Sequence, residues 1–283
     1  MQILNGKELA GIIKDDLKIQ VDEMKKNGKE ICLVVIQVGD DPASLTYVNQ
    51  KRKACEYVGI NSEIIKMPEN VEQEVVIDVI NELNYDDEVN GILVQLPLPK
   101  HLDTAYILSR IIHTKDVDGF TEINTGNMFL GHKSLISCTP FGVLKILQHY
   151  NIDIAGKECV VVGRSNIVGK PMAMLLLQND GTVTMCHSKT KNLKEICRRA
   201  DILVCAIGKP KFFNREYIKD NAVVIDVGIH RMDNGKLCGD VDFDYVKDIV
   251  SYITPVPGGV GAMTVAMLMH NCVEAAKNQY GDV

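Results

Sequence analysis

The sequence lacks a basic tract, and it lacks any apolar run of the roughly 18 residues that a membrane-spanning helix needs. Its 31 lysines and arginines stand against 37 aspartates and glutamates, which gives a formal net charge of -6. We therefore expect neither a nucleic acid nor a membrane as a partner. Residues 1–8 carry charges where a signal peptide would need an apolar stretch, so we expect a cytoplasmic protein.

The chain also lacks paired metal-ligating or redox-active residues. No two of its nine cysteines form a Cys-x-x-Cys pair, and its seven histidines are scattered without a second ligand at helical spacing. Most cysteines lie in apolar runs, as Cys205 does, and their number is odd. Both observations indicate reduced, buried thiols rather than a disulfide framework. We expect no metal site.

Apolar segments of strand length alternate with amphipathic segments of helix length along the chain. This alternation is typical of βαβ units with parallel sheets, and it predicts two α/β domains with a cleft between them. Residues 114–140 contain several turn-forming glycine steps without a clear period, which indicates a connection between the domains. The predicted strands are residues 31–38, 63–66, 91–96, 158–162, 182–186, 202–206, 223–227 and 252–253.

Helix starts are marked by local capping signals. Asn5 stands three residues before Glu8, as in a capping box. Asp41 precedes Pro42, which suits a helix cap followed by proline at the first helical position. We expect a final helix near Met263.

Residues 157–171 have the pattern of a strand, a glycine-bounded turn and the start of a helix. Gly163 permits a tight turn, Gly169 permits close approach of helix and strand, and the helix N-terminus favours a pyrophosphate. Ser165 replaces the middle glycine of the usual G-x-G-x-x-G motif, and the spacing is longer. An ordinary strand-to-helix turn therefore remains an alternative to a dinucleotide site.

The segment after the next predicted strand bears on the choice of dinucleotide. An NAD site usually has an acid there to bind the ribose hydroxyls. Residues 187–191, His-Ser-Lys-Thr-Lys, contain no acid. Arg164, His187 and Ser188, with Lys189, would instead surround a 2′-phosphate. Solvated loop charges are the alternative for each basic residue, but the combination favours NADP.

A second candidate site lies in the first half of the chain. Tyr47 and Lys51 are four residues apart and share a face of a predicted helix, where a ring beside an ammonium suits a flat ligand undergoing proton transfer. A surface Tyr–Lys contact is the commoner meaning of this spacing. Short-chain dehydrogenases share it, but in them the nucleotide turn comes first. Gln95 stands near the end of a predicted buried strand, where ligands of α/β sheets gather. Asp118 lies in an acidic turn, and an ordinary charged turn explains this segment as well as a functional role does.

Several separated segments together resemble one family, the bifunctional methylenetetrahydrofolate dehydrogenase/methenyltetrahydrofolate cyclohydrolases. The resemblance covers nearly the whole chain, and its motifs occur in the family's order. The segments are residues 38–51, 94–99, 115–120, 138–140, 163–171 and 254–261.

The resemblance implies a folate-binding catalytic α/β domain of residues 1–139 with 264–283 and a Rossmann-like NADP-binding domain of residues 140–263, assembled as a homodimer. The implied catalytic residues are Lys51, Gln95, which tunes that lysine, and Asp118, which holds the pterin. The implied substrate contacts are Tyr47, which stacks on the folate rings, and Pro257, Gly258 and Gly259. The implied NADP contacts are Gly163, Arg164, Ser165, Ile167, Gly169, His187, Ser188 and Ile229.

The implied reaction belongs to one-carbon metabolism and supplies purine biosynthesis. NADP-dependent oxidation converts 5,10-methylenetetrahydrofolate to the methenyl form, and hydrolysis then yields 10-formyltetrahydrofolate. A dehydrogenase without the hydrolytic step and a non-catalytic NADP sensor are the alternatives. Three departures leave loop rigidity and the balance of the activities open: Thr121-Glu122 in place of His-Pro, Ser137 in place of Pro, and Ala262 in place of Pro.

Overall fold

The computed structural model describes residues 1–281, except for the side chains of residues 42–44 and 46. Over this range the chain alternates between strands and helices, as the sequence predicts. In chain order the elements are β1 (Gln2–Ile3), α1 (Gly6–Lys26), β2 (Cys32–Val38), α2 (Pro42–Val58), β3 (Asn61–Met67), α3 (Gln73–Tyr85), β4 (Gly91–Val94), α4 (Thr104–Ser109), α5 (Glu122–Leu130), α6 (Cys138–His149), β5 (Glu158–Val162), α7 (Gly169–Gln178), β6 (Thr182–Cys186), α8 (Leu193–Cys197), β7 (Ile202–Cys205), β8 (Val223–Asp226), β9 (His230–Arg231), β10 (Leu237–Cys238), α9 (Phe243–Val246), β11 (Tyr252–Ile253) and α10 (Val260–Tyr280).

The described chain forms two compact α/β units, which confirms the predicted two-domain α/β architecture. The large-sheet unit consists of Met1–Gly11 and Thr139–Thr264, and the small-sheet unit consists of residues 12–138 and 265–281. From the sequence we expected residues 1–11 to lie with residues 12–139. They group with the large-sheet unit because β1 pairs with β11 and the Leu4 N–H donates to the Ile253 carbonyl at 2.8 Å.

The large-sheet unit is built on a six-stranded parallel sheet of order β1-β11-β8-β7-β5-β6. Strand β5 pairs with β6 on one side and with β7 on the other, so the strand order reverses at β5. Residues on β5, β7 and β8 are buried along their whole length apart from Glu158, as expected for strands covered on both faces. In doubly wound sheets of this kind, ligands bind at the carboxyl ends of the strands beside such a reversal.

The small-sheet unit contains a three-stranded parallel sheet of order β3-β2-β4. Strand β4 is buried throughout, and its core neighbours include Ile36 and Ile80. The Gln95 N–H donates to the Ile36 carbonyl at 2.9 Å, which continues the ladder one residue past β4. The sheet therefore delivers Gln95 to its carboxyl edge.

The predicted capping box at the start of α1 is confirmed. The Glu8 N–H donates to Asn5 Oδ1 and Asn5 Nδ2 donates to Glu8 Oε2, both at 3.1 Å, which completes the predicted capping box. Helix α2 begins at Pro42 as expected, whereas α10 begins at Val260, three residues before the expected Met263.

Residues 114–140 contain a helix, α5, that we did not expect. Its sequence, which includes Thr125 and Gly126, is a weak helix former. A carboxylate from outside the helix stabilises its start, because Asp116 Oδ2 accepts hydrogen bonds from Thr121 N at 2.8 Å and from Asn124 Nδ2 at 3.0 Å. Only the folded chain brings Asp116 to these donors.

Three further findings concern residues 1–281. No helix there combines the length and the apolar character that crossing a membrane requires. No three histidine, cysteine, aspartate or glutamate side chains gather there in a way that would hold a metal ion. All nine cysteines are free thiols, and seven of them are buried.

Candidate active site

A hydrogen-bonded Lys51–Gln95 pair forms the centre of the candidate site in the small-sheet unit. Lys51 lies one turn after Tyr47 on α2, and its Nζ donates to Gln95 Oε1 at 3.0 Å. The Gln95 amide is buried, and its Nε2 donates to the Leu96 carbonyl at 2.7 Å. Because the amide nitrogen is held by the backbone, the amide oxygen is the atom that faces the lysine. The pair therefore holds the Lys51 amine in one place.

Asp118 lies close enough to Lys51 for the two charges to interact. Burial raises the pKa of the Asp118 carboxyl to about 6, and the positive charge of Lys51 opposes this rise while Asp116 adds to it. Burial also raises the pKa of the Tyr47 hydroxyl, so that side chain stays neutral. The small-sheet unit thus brings Lys51, Gln95 and Asp118 together, with Tyr47 one helical turn from the lysine.

The backbone around Asp118 is tied to a distant helix. Asn271 on α10 donates from Nδ2 to the carbonyl oxygens of Val117 and Ile136, both at 2.8 Å, and its side chain is buried. Gly119 has a φ of +70°, and a Cβ at this position would lie 2.6 Å from the Leu135 carbonyl oxygen. The turn that carries Asp118 is therefore closely packed on one side and hydrogen-bonded on the other.

The glycine-bounded turn of the large-sheet unit has no room for side chains. Gly163 has a φ of +143°, and a Cβ there would lie 2.3 Å from the Ala206 carbonyl oxygen. A Cβ on Gly169 would lie 2.3 Å from the Gly163 carbonyl oxygen. Ser165 Oγ accepts hydrogen bonds from the N–H groups of Val168 and Gly169 at 3.2 and 3.3 Å. The serine that departs from the usual motif therefore holds the turn together.

The segments after β5 and β6 lie side by side, because the two strands are paired in parallel. The Gly163 N–H donates to the Cys186 carbonyl at 2.9 Å, which places the Arg164 turn next to the turn that begins at His187. His187 Nδ1 accepts the Lys189 N–H at 3.1 Å, so Nε2 carries the proton of this ring. Arg164, Ser165, Ile167 and Ser188 are exposed. Among the described residues, the turns 163–168 and 187–191 present cations and hydroxyls and contain no carboxylate.

The turn before α10 also depends on glycine. Gly258 has a φ of +99°, and its carbonyl accepts the Lys7 N–H at 2.8 Å. A Cβ on Gly259 would lie 2.4 Å from the Pro255 carbonyl oxygen. Backbone packing in the large-sheet unit therefore explains these glycines by itself. The substrate-binding role of Pro257, Gly258 and Gly259 stays a prediction.

Two domain models of one protein family together match nearly the whole chain. The catalytic domain of tetrahydrofolate dehydrogenase/cyclohydrolase matches residues 4–118, and the NAD(P)-binding domain of the same family matches residues 137–280. The chain belongs to this family. The resemblance seen in the separated motifs is thereby confirmed.

Individual relatives resemble the chain over nearly its whole length. Bifunctional protein FolD of Lachnoclostridium phytofermentans is 60% identical over 275 residues, which cover 97% of this chain and 98% of that protein. The crystal structure of FolD methylenetetrahydrofolate dehydrogenase/cyclohydrolase from Campylobacter jejuni has a TM-score of 0.97 at 50% identity, covering 98% of this chain and 99% of that one. The Trypanosoma brucei enzyme, complexed with NADP and an inhibitor, has a TM-score of 0.94 at 36% identity, covering 99% and 98%.

The departures from the family pattern lie at the starts of three helices. Thr121 is the N-cap residue of α5, and its N–H bonds to Asp116. Glu122, which stands where proline is usual, lies in the first turn of α5, where the helix dipole favours an acid. Ser137 is buried directly before α6, and Ala262 lies in the first turn of α10. None of these residues displaces a side chain of the site.

Sequence reasoning missed the buried carboxylates at the carboxyl edge of the large sheet. Asp226 ends β8, and burial raises its pKa to about 7 against the effect of the N–H groups of Val241, Asp240 and Gly228 that bond to it. Its position at the end of a buried strand, in Val-Val-Ile-Asp, was a signal of the same kind that identified Gln95. Ile229 follows shortly after and is 45% exposed.

Asn271→Leu should destabilise the turn that carries Asp118. Leucine has a similar volume but removes the amide donor from two carbonyl oxygens, and a buried acceptor left unsatisfied costs about 1–3 kcal/mol. The Val117 oxygen keeps only the weaker donor Cys138 Sγ at 3.4 Å. We expect the free energy of unfolding, measured by urea denaturation, to fall by about 2 kcal/mol or more. Asn278→Leu, at an exposed position of the same helix, is the matched control. Equal stability of the two variants would contradict the role of the Asn271 amide.

Proposed function

We propose that this chain is a bifunctional enzyme of one-carbon metabolism. It oxidises 5,10-methylenetetrahydrofolate with NADP and hydrolyses the resulting 5,10-methenyltetrahydrofolate to 10-formyltetrahydrofolate. The observation that carries the proposal is the Lys51–Gln95 pair at 3.0 Å beside Asp118 in a chain of this family. A family dehydrogenase without hydrolysis, or an NADP sensor, has no need for a lysine amine held in this way.

The large-sheet unit fits NADP. A Cβ on Gly163 or on Gly169 would lie 2.3 Å from a backbone carbonyl oxygen, so both glycines allow the close packing of strand, turn and helix that dinucleotide-binding turns have. Arg164, with Ser188 and the Nε2–H of His187, would hold the 2′-phosphate, and Ser165 and Ile167 belong to the same turn. When bound, NADP supplies the hydride acceptor. The solved relative from Trypanosoma brucei contains NADP, in agreement with this assignment.

The small-sheet unit provides the folate-binding side chains. Tyr47 offers a ring on which the pterin stacks, and the Asp118 carboxylate accepts N–H hydrogen bonds from it. Lys51 is placed to move protons at the one-carbon bridge. Gln95 keeps the lysine amine oriented through its buried amide oxygen.

In the hydrolytic step, the oxygen of water attacks the methenyl carbon of the folate cation. The bond from this carbon to N5 then breaks, and the formyl group stays on N10. One proton of the water passes to N5 and the other is released. We assign these proton transfers to Lys51, since general acid–base catalysis requires a group within hydrogen-bonding reach of the reacting atoms.

Two further assignments belong to the proposal. The enzyme acts as a homodimer, as its family resemblance implies. It works in the cytoplasm, where free thiols such as the nine cysteines of this chain persist in the reduced form. An assay with methylenetetrahydrofolate, with and without NADP, tests the whole function by following NADPH and methenyl absorbance together.

Lys51→Met should abolish hydrolysis of methenyltetrahydrofolate. The substitution keeps most of the side-chain volume but removes the amine, so we expect a loss of about 100-fold or more in the decay of methenyl absorbance. NADP binding, measured by calorimetry, should be unchanged. Lys53→Met, at an exposed position of the same helix, is the control. Full cyclohydrolase activity in the Lys51 variant would remove this lysine from its role.

Arg164→Ala should weaken NADP much more than NAD. Loss of a charge-assisted bond to the 2′-phosphate predicts a decrease in NADP affinity of about 10-fold to 100-fold, with NAD affinity nearly unchanged. Binding of both dinucleotides would be measured by calorimetry, with Arg198→Ala, at an exposed position of the same unit, as the control. Equal losses for both dinucleotides would refute the assignment.

Folate binding should weaken in acid through Asp118. Because burial raises the pKa of this carboxyl to about 6, it becomes protonated as the pH falls through that value, and one of its two oxygens then turns from an acceptor into an O–H donor. We expect the KM for methylenetetrahydrofolate to rise between about pH 7 and about pH 5. Asp118→Asn should raise the KM at every pH and flatten the profile. A native KM that stays constant over this pH range would contradict the role of Asp118 in folate binding.

A further inference from the structure

A fully buried carboxylate connects two loops at the carboxyl edge of the large sheet. Asp240 Oδ2 accepts the N–H groups of Ile207 at 2.7 Å and Gly208 at 3.1 Å. Its Oδ1 accepts Lys209 N–H and His230 Nε2, both at 2.8 Å. The first three donors follow β7, and the fourth follows β8. One side chain therefore sets the distance between the two loops.

Asp226 anchors the second of these loops from the other side. Its carboxylate accepts the N–H groups of Gly228 at 3.0 Å and of Asp240 and Val241 at 2.9 Å. A Cβ on Gly228 would lie 2.4 Å from Asp240 Oδ1, so the loop backbone packs directly against the carboxylate. Ile229 stands between two anchored positions, Gly228 and His230. The carboxylate pair thus fixes the part of the loop from which the exposed Ile229 side chain projects.

The strand order places these loops relative to the dinucleotide. A dinucleotide crosses a doubly wound sheet at the reversal of strand order, which here is at β5. The 2′-phosphate is assigned to the edge formed by β5 and β6. The other half of the molecule, which carries the nicotinamide, then lies over the ends of β7 and β8. Residues 207–209 are the loop at the first of these ends, and residues 227–229, which lead into β9 at His230, are the loop at the second.

We propose that Asp240 is a positioning residue for hydride transfer. It acts through the two loops that it joins, by holding them in the one arrangement that receives the nicotinamide ring. The inference rests on the proposed dehydrogenase function. Hydride transfer depends strongly on the position of the nicotinamide ring, since a misplacement of about 1 Å lowers the rate roughly 100-fold.

A carboxylate suits this task better than an amide. Each carboxylate oxygen of Asp240 accepts two hydrogen bonds. An asparagine at this position would place an NH₂ group, which can only donate, against two N–H donors. Asp240→Asn therefore loosens the loops while keeping the size of the side chain. His230→Ala removes one of the four donors at a position that is only partly buried. His230→Gln keeps an N–H donor of similar reach.

The first test compares the two halves of the cofactor. In Asp240→Asn we expect kcat for methylenetetrahydrofolate oxidation to fall by roughly tenfold or more. Affinity for 2′,5′-ADP, which lacks the nicotinamide, and cyclohydrolase activity should stay within about twofold of native. Asp244→Asn, an equal charge change at an exposed position, is the control. An unchanged kcat, or a parallel fall in both activities and in 2′,5′-ADP affinity, would overturn the proposal.

The second test uses the protein without ligand. Amide hydrogen exchange of residues 207–209, whose N–H groups bond to Asp240, should be faster in Asp240→Asn than in the native protein, while exchange in β5 and β6 is unchanged. Equal exchange of residues 207–209 in the two proteins would overturn the proposal. If the native enzyme showed no NADP-dependent oxidation, the proposed function would fail, and this exchange result would still report on the loops.

The His230 variants keep the inference testable if Asp240→Asn does not fold. His230→Ala should lower kcat for oxidation several-fold at unchanged cyclohydrolase activity, and His230→Gln should restore at least half of the loss. Native kcat in His230→Ala would count against the proposal, as would an equal loss in both variants.

Discussion

Parallel strands all end at the same edge of their sheet, and the candidate sites of this protein depend on that constraint. Residues that follow different strands meet there although they are far apart in the chain. In the small sheet, the edge receives Gln95 after β4. In the large sheet, it brings Arg164 and His187 side by side after two paired strands. The chemistry of each unit is concentrated where its strands stop.

Loops at such an edge need partners for their backbone groups, because they have left the hydrogen-bonding ladder of the sheet. Buried polar side chains from elsewhere in the unit provide these partners. Asp116 bonds to the start of α5, and Asn271 bonds to the carbonyl next to Asp118. Asp226 and Asp240 do the same for the loops after β7 and β8. The loops at both edges are thus held by buried side chains that are not among the predicted site residues.

Local patterns in the sequence were sufficient for the elements that depend on near neighbours. The capping box of Asn5 and Glu8 and the strand before Gly163 lie where they were predicted. Helix α5 was missed because its propensity is weak and its cap comes from Asp116, outside the helix. Strand β1 was not predicted because it has only two residues, and its partner β11 lies about 250 residues away.

The sequence by itself determined the types of chemistry in the chain and their order. It placed Tyr47 and Lys51 on one helical face, because four residues make about one turn, and it showed a glycine turn followed by a segment without acids. Only the tertiary structure decided which groups meet across the fold. The hydrogen bond from Lys51 to Gln95 and the four bonds to Asp240 join separate segments of the chain. Spacing along the chain has no information about such contacts, because sheet pairing and burial set them.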